Sequence, residues 1–100
     1  MPAGQPPSLR IDKYLWFVRL APDRSSAQAL AERGIIRLNG RRVERAHSPV
    51  RIGDLITVPQ GNVVRVIRVE QLPLRRGPFV EAQLCYSAIT PGAAPFPDEG

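Results

Sequence analysis

The feature that most constrains the fold of this chain is a change in apolar spacing at Gly34. Before this glycine, apolar residues recur about every three or four positions, which is typical of helices with one buried face. After it, they alternate with polar residues and run into Asn39-Gly40, a pair that strongly indicates a two-residue β-hairpin turn. The change predicts helices followed by strands, and therefore an α+β domain.

Two short helices are predicted at residues 11–20 and 24–33. Asp12 lies in the first turn of the first helix, where the helix dipole favours a carboxylate. Asp23 precedes the second helix and is its expected N-cap, because its side chain can accept a hydrogen bond from an N–H group of the first turn. Gly34 follows the second helix and is the expected C-terminal cap in the left-handed backbone region.

Five short strands are predicted after the helices, at residues 36–38, 41–43, 55–58, 63–69 and 79–86. Gln60-Gly61-Asn62 is expected to be a second hairpin connection. The predicted fold is α+β, with two short helices followed by a small, mainly antiparallel sheet of about five strands. It occupies residues 8–90 as one domain, while the proline-rich segments 1–7 and 91–100 are expected to be disordered.

The net charge of the chain is +5 and comes almost wholly from arginine, with thirteen arginines and one lysine. Residues 8–45 hold nine basic and four acidic residues, so the positive excess lies in the helices and the first hairpin. Arginine suits bidentate contact with phosphate, and a basic domain of this kind indicates a binder of nucleic acid or of another anionic surface. The alternative is that the arginine content reflects a GC-rich genome and ordinary solubility.

The sequence offers no group of residues suited to catalysis, to a metal or to a cofactor. It has one histidine, His47, expected in an exposed loop, and one cysteine, Cys85, expected to pack as a small apolar residue. The Cys and His spacing of a metal site and the glycine-rich loop of a phosphate-bearing cofactor are both missing from the sequence. Because no group suited to catalysis is found, the protein is expected to be non-enzymatic. Because the sequence has neither a signal sequence nor an apolar run of membrane length, the protein is expected to be cytoplasmic.

The candidate binding residues are polar side chains of the two helices and the first hairpin. They are Lys13 and Arg19 in the first helix, Arg24 and Gln28 in the second, and Arg37, Arg41 and Arg42 around the Asn39-Gly40 turn. RNA duplexes are recognised mainly through phosphates and 2′-hydroxyls, which such side chains contact. The alternatives are that each is a solvated surface charge, or that Arg10 or Arg24 pairs with Asp12 and serves the structure.

These positions resemble the S-four, or alpha-L, RNA-binding domain family in the run Arg10-Ile11-Asp12-Lys13-Tyr14-Leu15-Trp16 and in Arg19, Arg24, Ala27, Gly34 and Asn39-Gly40. The second half is similar to the bacterial fifteen-kilodalton heat-shock proteins in Gln60-Gly61-Asn62, Arg75-Arg76 and Glu81-Ala82 with Leu84 and Tyr86. The resemblance covers about residues 8–90.

The resemblance implies an RNA-binding protein of the bacterial stress response. Proteins of the heat-shock family bind ribosomal RNA of the large subunit when that subunit still holds a nascent chain on tRNA after abnormal dissociation. The RNA-facing positions that it implies are Arg10, Lys13, Arg19, Arg24, Asn39, Arg41 and Arg42. Asp12, Asp23, Gly34 and Gly40 are expected to support this site, with Asp12 as an orienting partner.

No cofactor, metal or membrane is expected as a partner, and nothing in the residues requires more than a monomer. Two other interpretations remain open at this point. The chain is then either an RNA-targeting module that works with an RNA-modifying enzyme such as a pseudouridine synthase, or a basic protein–protein adaptor.

Overall fold

The structure of the protein is a computed structural model that describes residues 7–89. The described part of the chain has three helices, α1 (Ile11–Phe17), α2 (Arg24–Glu32) and α3 (Phe79–Gln83). Its seven strands are β1 (Leu9–Arg10), β2 (Arg37–Leu38), β3 (Arg41–Arg42), β4 (Pro49–Val50), β5 (Leu55–Gln60), β6 (Val63–Val69) and β7 (Tyr86–Ala88). None of these helices has the length and apolar character needed to cross a membrane. Apart from Pro7, the segments predicted to be disordered lie outside the described residues.

The main sheet has five antiparallel strands in the order β3-β2-β5-β6-β7, which confirms the predicted fold class. Its longest pairing joins β5 to β6, and Gln60 faces Val63 across the predicted Gly61-Asn62 connection. In the same pairing Ile56 faces Ile67, and both side chains are completely buried. A separate antiparallel pair joins β1 to β4, so the chain before α1 is held by the chain after the first hairpin.

Apolar side chains from α1, α2 and the main sheet form one buried cluster. Its largest completely buried apolar members are Tyr14, Ile11, Leu15, Ile36, Ile56, Ile67, Val18, Val50, Val58 and Val69. The buried residues of α2 are two alanines, Ala27 and Ala31, which let this helix approach α1 closely. The hydroxyl of Tyr14 donates a hydrogen bond of 2.9 Å to the backbone carbonyl of Cys85, which links α1 to the chain that follows α3.

Both predicted capping residues of α2 are confirmed, and the helix ends at Glu32, one residue before the predicted end. The side chain of Asp23 accepts a hydrogen bond of 2.7 Å from the backbone N–H of Ser26, as an N-cap does. At the other end, Gly34 has a φ of 73°, in the left-handed region that favours glycine.

The first helix ends earlier than predicted, at Phe17 and not at Leu20. The N–H of Leu20 bonds to the carbonyl of Leu15 at 2.9 Å, and that of Arg19 bonds to the carbonyl of Trp16 at 3.1 Å. This pair of bonds is a Schellman cap, with Arg19 at the left-handed position and a φ of 64°. Because Leu20 still packs in the core, the apolar spacing continues beyond the end of the helix.

The strand predicted at residues 79–86 is wrong over most of its length, because the chain there forms α3 before it enters β7. The helix begins after Pro78, whose carbonyl accepts a hydrogen bond of 3.0 Å from the N–H of Ala82. Ala82 and Cys85 are buried three residues apart, which is a helical spacing. Val80, which a strand would place on the same face as Ala82, is 70% exposed.

The hydrogen bond from Tyr14 to Cys85 is expected to contribute measurably to stability. Burial raises the pKa of the Tyr14 hydroxyl, so it remains a protonated donor across the accessible pH range. Tyr14→Phe removes this donor and is expected to lower the free energy of unfolding by about 1 kcal/mol, the usual net value of one such bond. Urea denaturation followed by circular dichroism measures the change.

The matched control is Tyr86→Phe. The ring of Tyr86 is half-buried and lies 5.6 Å from the guanidinium of Arg65, a contact that phenylalanine retains. A loss of stability in the Tyr14 variant no greater than in this control would contradict the assigned role of the hydroxyl.

Candidate nucleic-acid interface

The carboxylate of Asp12 lies at the centre of the candidate site, at the start of α1, and its side chain is completely buried. The guanidinium of Arg10 donates two hydrogen bonds to it, from Nε to Oδ1 and from Nη2 to Oδ2, each 2.9 Å long. The backbone N–H of Lys13 donates to Oδ1 at 2.8 Å, and Nε2 of Gln28 donates to Oδ2 at 3.4 Å. One side chain thus joins β1, α1 and α2.

Arg24, the first residue of α2, completes the group around Asp12. Its Nε lies 3.8 Å from Oδ2 of Asp12, is buried, and has no hydrogen-bond partner among the described residues. The Arg24 side chain is 40% exposed and the Arg10 side chain 42% exposed. Because two guanidiniums share one carboxylate, the group keeps a net positive charge that an anionic ligand can reach.

Opposing effects act on the pKa of Asp12. Burial removes water from the carboxylate and by itself raises the pKa. The hydrogen bonds from the Arg10 side chain and the Lys13 N–H, together with the charge of Arg10 and the hydrogen bond from Gln28, outweigh burial and hold the pKa below its usual value. The carboxylate is therefore ionised at neutral pH and holds its partners in place.

The Asn39-Gly40 turn joins β2 to β3 as predicted, with φ angles of 53° and 85° at its two residues. Both polar atoms of the Asn39 side chain are engaged within the protein. Nδ2 donates to Oδ1 of Asp54 at 3.0 Å, and Oδ1 accepts from the N–H of Leu55 at 2.9 Å. Asn39 therefore fastens the turn to the start of β5.

The predicted arginines of the hairpin, Arg37, Arg41 and Arg42, are all exposed. The guanidinium of Arg42 lies against the backbone of Gly34, since a Cβ placed on that glycine would be 2.5 Å from Nε of Arg42. This close approach and the left-handed φ both require glycine at position 34. The hairpin is thus packed beside the end of α2.

Arg19 lies apart from these residues, at the opposite end of α1 from Asp12. Its Nε donates a hydrogen bond of 2.8 Å to the carbonyl of Gly77. In return, Nε of Arg76 donates to the carbonyl of Trp16 at 3.2 Å. The two arginines hold the loop before α3 against the end of α1, a role that the spacing of the sequence did not indicate.

Two concave areas of surface contain predicted binding residues. The lining of the first includes Arg10, Gln28, Glu32, Glu44, Arg45 and His47. The second, called the notch below, includes Leu38, Arg41, Arg42, Val43, Glu44 and Arg45 in its lining. Because both contain Glu44 and Arg45, they form one continuous surface. The basic face is defined as Arg10, Arg24, Gln28, Arg41, Arg42 and Arg45.

Sequence reasoning missed Arg45, which belongs to both concave areas. The available signal was the recurrence of arginine three residues after Arg41-Arg42. That signal does not show that the chain at residues 44–48 returns to α1. Arg37, which was predicted, lines neither concave area. Lys13 is half-buried on α1, where its backbone N–H contacts Asp12.

Backbone hydrogen bonds hold residues 44–48 against the start of α1. The N–H of Ile11 donates to the carbonyl of Ser48 at 2.8 Å, and the N–H of Asp12 donates to that of Ala46 at 3.2 Å. These two donors have no partner inside the helix, as is usual at a helix N-terminus. The backbone at the start of α1, which carries Asp12, therefore also determines the position of Arg45.

Comparison with known proteins points to one family. The S4 domain model matches residues 9–56, which contain the whole basic face. The Heat shock protein 15 homolog of Haemophilus influenzae is 35% identical to this chain over 78 residues, covering 78% of this chain and 59% of that protein. Heat shock protein 15 of Escherichia coli K12 is 33% identical over 78 residues, covering 78% and 58%. The chain thus spans less than two thirds of the length of these relatives.

A small ribosomal subunit protein and a solved structure add to this comparison. Protein uS4 of Nitratidesulfovibrio vulgaris is 31% identical over 70 residues, covering 68% of this chain and 34% of that protein. The trimeric structure of Vibrio cholerae Heat Shock Protein 15 matches with a TM-score of 0.77 and 34% identity over 82% of each chain. These findings confirm the resemblance that the sequence predicted.

The geometry around Asp12 predicts a stability difference that depends on pH. Asp12→Asn is expected to lower the free energy of unfolding by about 2–3 kcal/mol at pH 7, because hydrogen bonds to a charged group are lost. The folded-state pKa of Asp12 is lowered, so its stabilisation is present above the unfolded-state value of about 3.9 and is lost as the pH falls through the folded-state value. The difference between the two proteins should be constant from about pH 5 to 7 and shrink in stronger acid.

Urea denaturation across this pH range measures the difference. Asp23→Asn is the matched control, since Asp23 is exposed and asparagine also caps helices well. Equal effects of the two substitutions, or a difference that grows in acid, would contradict the role given to Asp12.

Proposed function

This chain belongs to the S4 domain family, and we propose that its basic face binds RNA. The family is one of RNA-binding domains, and its match includes every residue of the face. The observation that carries the proposal is the group around Asp12, where two guanidiniums share one buried carboxylate and stay partly exposed. Such a group is positive, held in one geometry and open to phosphate oxygens.

In the proposed complex, the face contacts the sugar–phosphate backbone of an RNA helix. Asp12 engages Nε and Nη2 of Arg10, which leaves Nη1 of that guanidinium for a phosphate. Arg24 and Gln28 lie beside it, and the exposed arginines of the hairpin extend the contact. A-form RNA presents phosphates and 2′-hydroxyls at its surface, which suits a face made of guanidinium and amide donors.

The RNA that we propose is ribosomal RNA of the large subunit, in subunits that have stalled or dissociated while they carry a nascent chain on tRNA. Support comes from the relatives named Heat shock protein 15, which are 33–38% identical to this chain, and from the similarity to ribosomal protein uS4. In this proposal the protein acts in the cytoplasm during stress, without catalysing a reaction itself.

A protein-binding role is the second candidate, and one observation favours it. Leu74, Phe79, Val80 and Leu84 are each more than half exposed around α3, beside a groove of about 330 Å³ that also contacts Phe17. Apolar patches of this kind mark protein-binding surfaces.

The oligomeric state is tested separately. The Vibrio cholerae relative was solved as a trimer, whereas a monomer is expected from this sequence, and sedimentation of the purified chain distinguishes the two states.

The proposal predicts a preference among ribosomal particles. Binding of the purified protein is measured to large subunits with peptidyl-tRNA, to empty large subunits and to small subunits, at several salt concentrations. We expect the tightest binding to large subunits with peptidyl-tRNA. With about five phosphates contacted, log affinity should fall with log salt at a slope of about −3.5 to −4.5. Equal weak binding to all three particles would refute the subunit assignment, and binding that resists both salt and nuclease would favour the protein-binding role.

Arg24→Ala tests the basic face directly. We expect about fivefold to tenfold weaker RNA binding, from the loss of one phosphate contact, with little loss of stability because the side chain is partly exposed. Arg33→Ala is the matched control: Arg33 is exposed at the other end of α2, about 13 Å away along the helix. If the Arg24 variant unfolds more easily while RNA affinity per folded molecule is unchanged, Arg24 is structural.

A further inference from the structure

The notch differs chemically from the rest of the basic face. The half-buried side chain of Leu38 gives it an apolar part, three arginines surround this part, and the concave volume is about 650 Å³. This volume lies within the range of about 300–1,000 Å³ that is usual for small-ligand sites. A phosphate contact needs neither an apolar surface nor a cavity of this size. The notch therefore fits something larger and less polar than a phosphate.

Glu44 is the second feature that separates the notch from a phosphate site. It is exposed, and it forms no ion pair with any residue in the described range 7–89, although three arginines line the same notch. A carboxylate repels phosphate and can only accept hydrogen bonds. A ligand that bonds to it must supply a donor, and RNA offers base amino groups, the imino N–H groups of guanine and uracil, and 2′-hydroxyls.

Both walls of the notch are held in place before any ligand binds. On one side, Asn39 fastens the hairpin turn to Asp54 and Leu55. On the other, the carbonyls of Ala46 and Ser48 accept the first N–H groups of α1. A site with fixed walls loses little conformational entropy on binding, which suits a ligand of one defined shape.

We propose that the notch binds a single nucleotide that is unstacked from an RNA helix. Its base lies on the apolar part and against an arginine guanidinium, and its amino group donates a hydrogen bond to Glu44. The phosphates on either side of it meet Arg41 and Arg45. Proteins that read RNA commonly stack such splayed bases on aromatic rings or on arginine planes. The inference rests on the proposed RNA-binding function and names the feature of RNA that this face selects.

The test compares two RNA stem-loops that differ only in one bulged adenosine. The protein is expected to bind the bulged RNA about tenfold more tightly than the fully paired one, because only the unstacked base can lie against a guanidinium and donate to Glu44. Glu44→Gln is expected to reduce this preference to less than about twofold, because the amide is uncharged and a weaker acceptor. Fluorescence of 2-aminopurine placed next to the bulged adenosine reports independently whether that adenosine leaves the stack when the protein binds.

Glu32→Gln is the matched control, since it removes the same charge from the same continuous surface but outside the notch. It should tighten binding to both RNAs slightly and leave their ratio unchanged. If Glu44→Gln also tightens binding to both RNAs and leaves their ratio unchanged, Glu44 only repels phosphate and the proposal is wrong. It is equally wrong if both RNAs bind alike and the 2-aminopurine signal does not change. Failure to bind either RNA at low salt would instead refute the proposed RNA-binding function.

Discussion

The structure depends on the burial of one ionised carboxylate, that of Asp12. Removing a carboxylate from water is unfavourable by several kcal/mol unless cations and hydrogen-bond donors compensate for the loss. Here the donors come from Arg10, Gln28 and the start of α1, with Arg24 alongside. The need to pair one buried charge thus ties the start of α1 to α2. It also leaves two partly exposed guanidiniums at one place on the surface, so the basic face is a consequence of how the core is closed.

The start of α1 also holds the chain at residues 44–48 in place. The N–H groups of Ile11 and Asp12 lack partners within the helix and bond to carbonyls of this segment. The same two bonds stabilise the helix and place Arg45 between the helices and the hairpin. Because β1 also pairs with β4, the segment is held at both of its ends. The segment that carries Arg45 is therefore held in place by backbone contacts.

Sequence reasoning succeeded where a structure depends on local backbone chemistry. The cap at Asp23, the left-handed Gly34 and the Asn39-Gly40 turn each follow from the properties of one or two residues, and each is observed. It failed at α3, because alternation and helical spacing both place Ala82 on a buried face and only the neighbouring elements decide between them. It also missed Arg45, whose place depends on hydrogen bonds to residues more than thirty positions earlier in the chain. The family resemblance shows which residues matter but does not show how they act.

Asn39 is an example of a residue that the family resemblance indicates without showing how it acts. The resemblance implies an RNA-facing role for it, yet both of its side-chain polar atoms bond within the protein, to Asp54 and Leu55. In the proposed complex its contribution is to hold the hairpin turn in place, so that Arg41 and Arg42 stand beside Arg45. Gly34 acts in the same way, because the absence of a side chain there makes room for the Arg42 guanidinium. If the proposed RNA site is correct, the residues that fix its geometry are as necessary to it as the arginines, since positive charge without fixed geometry attracts any polyanion without selecting one.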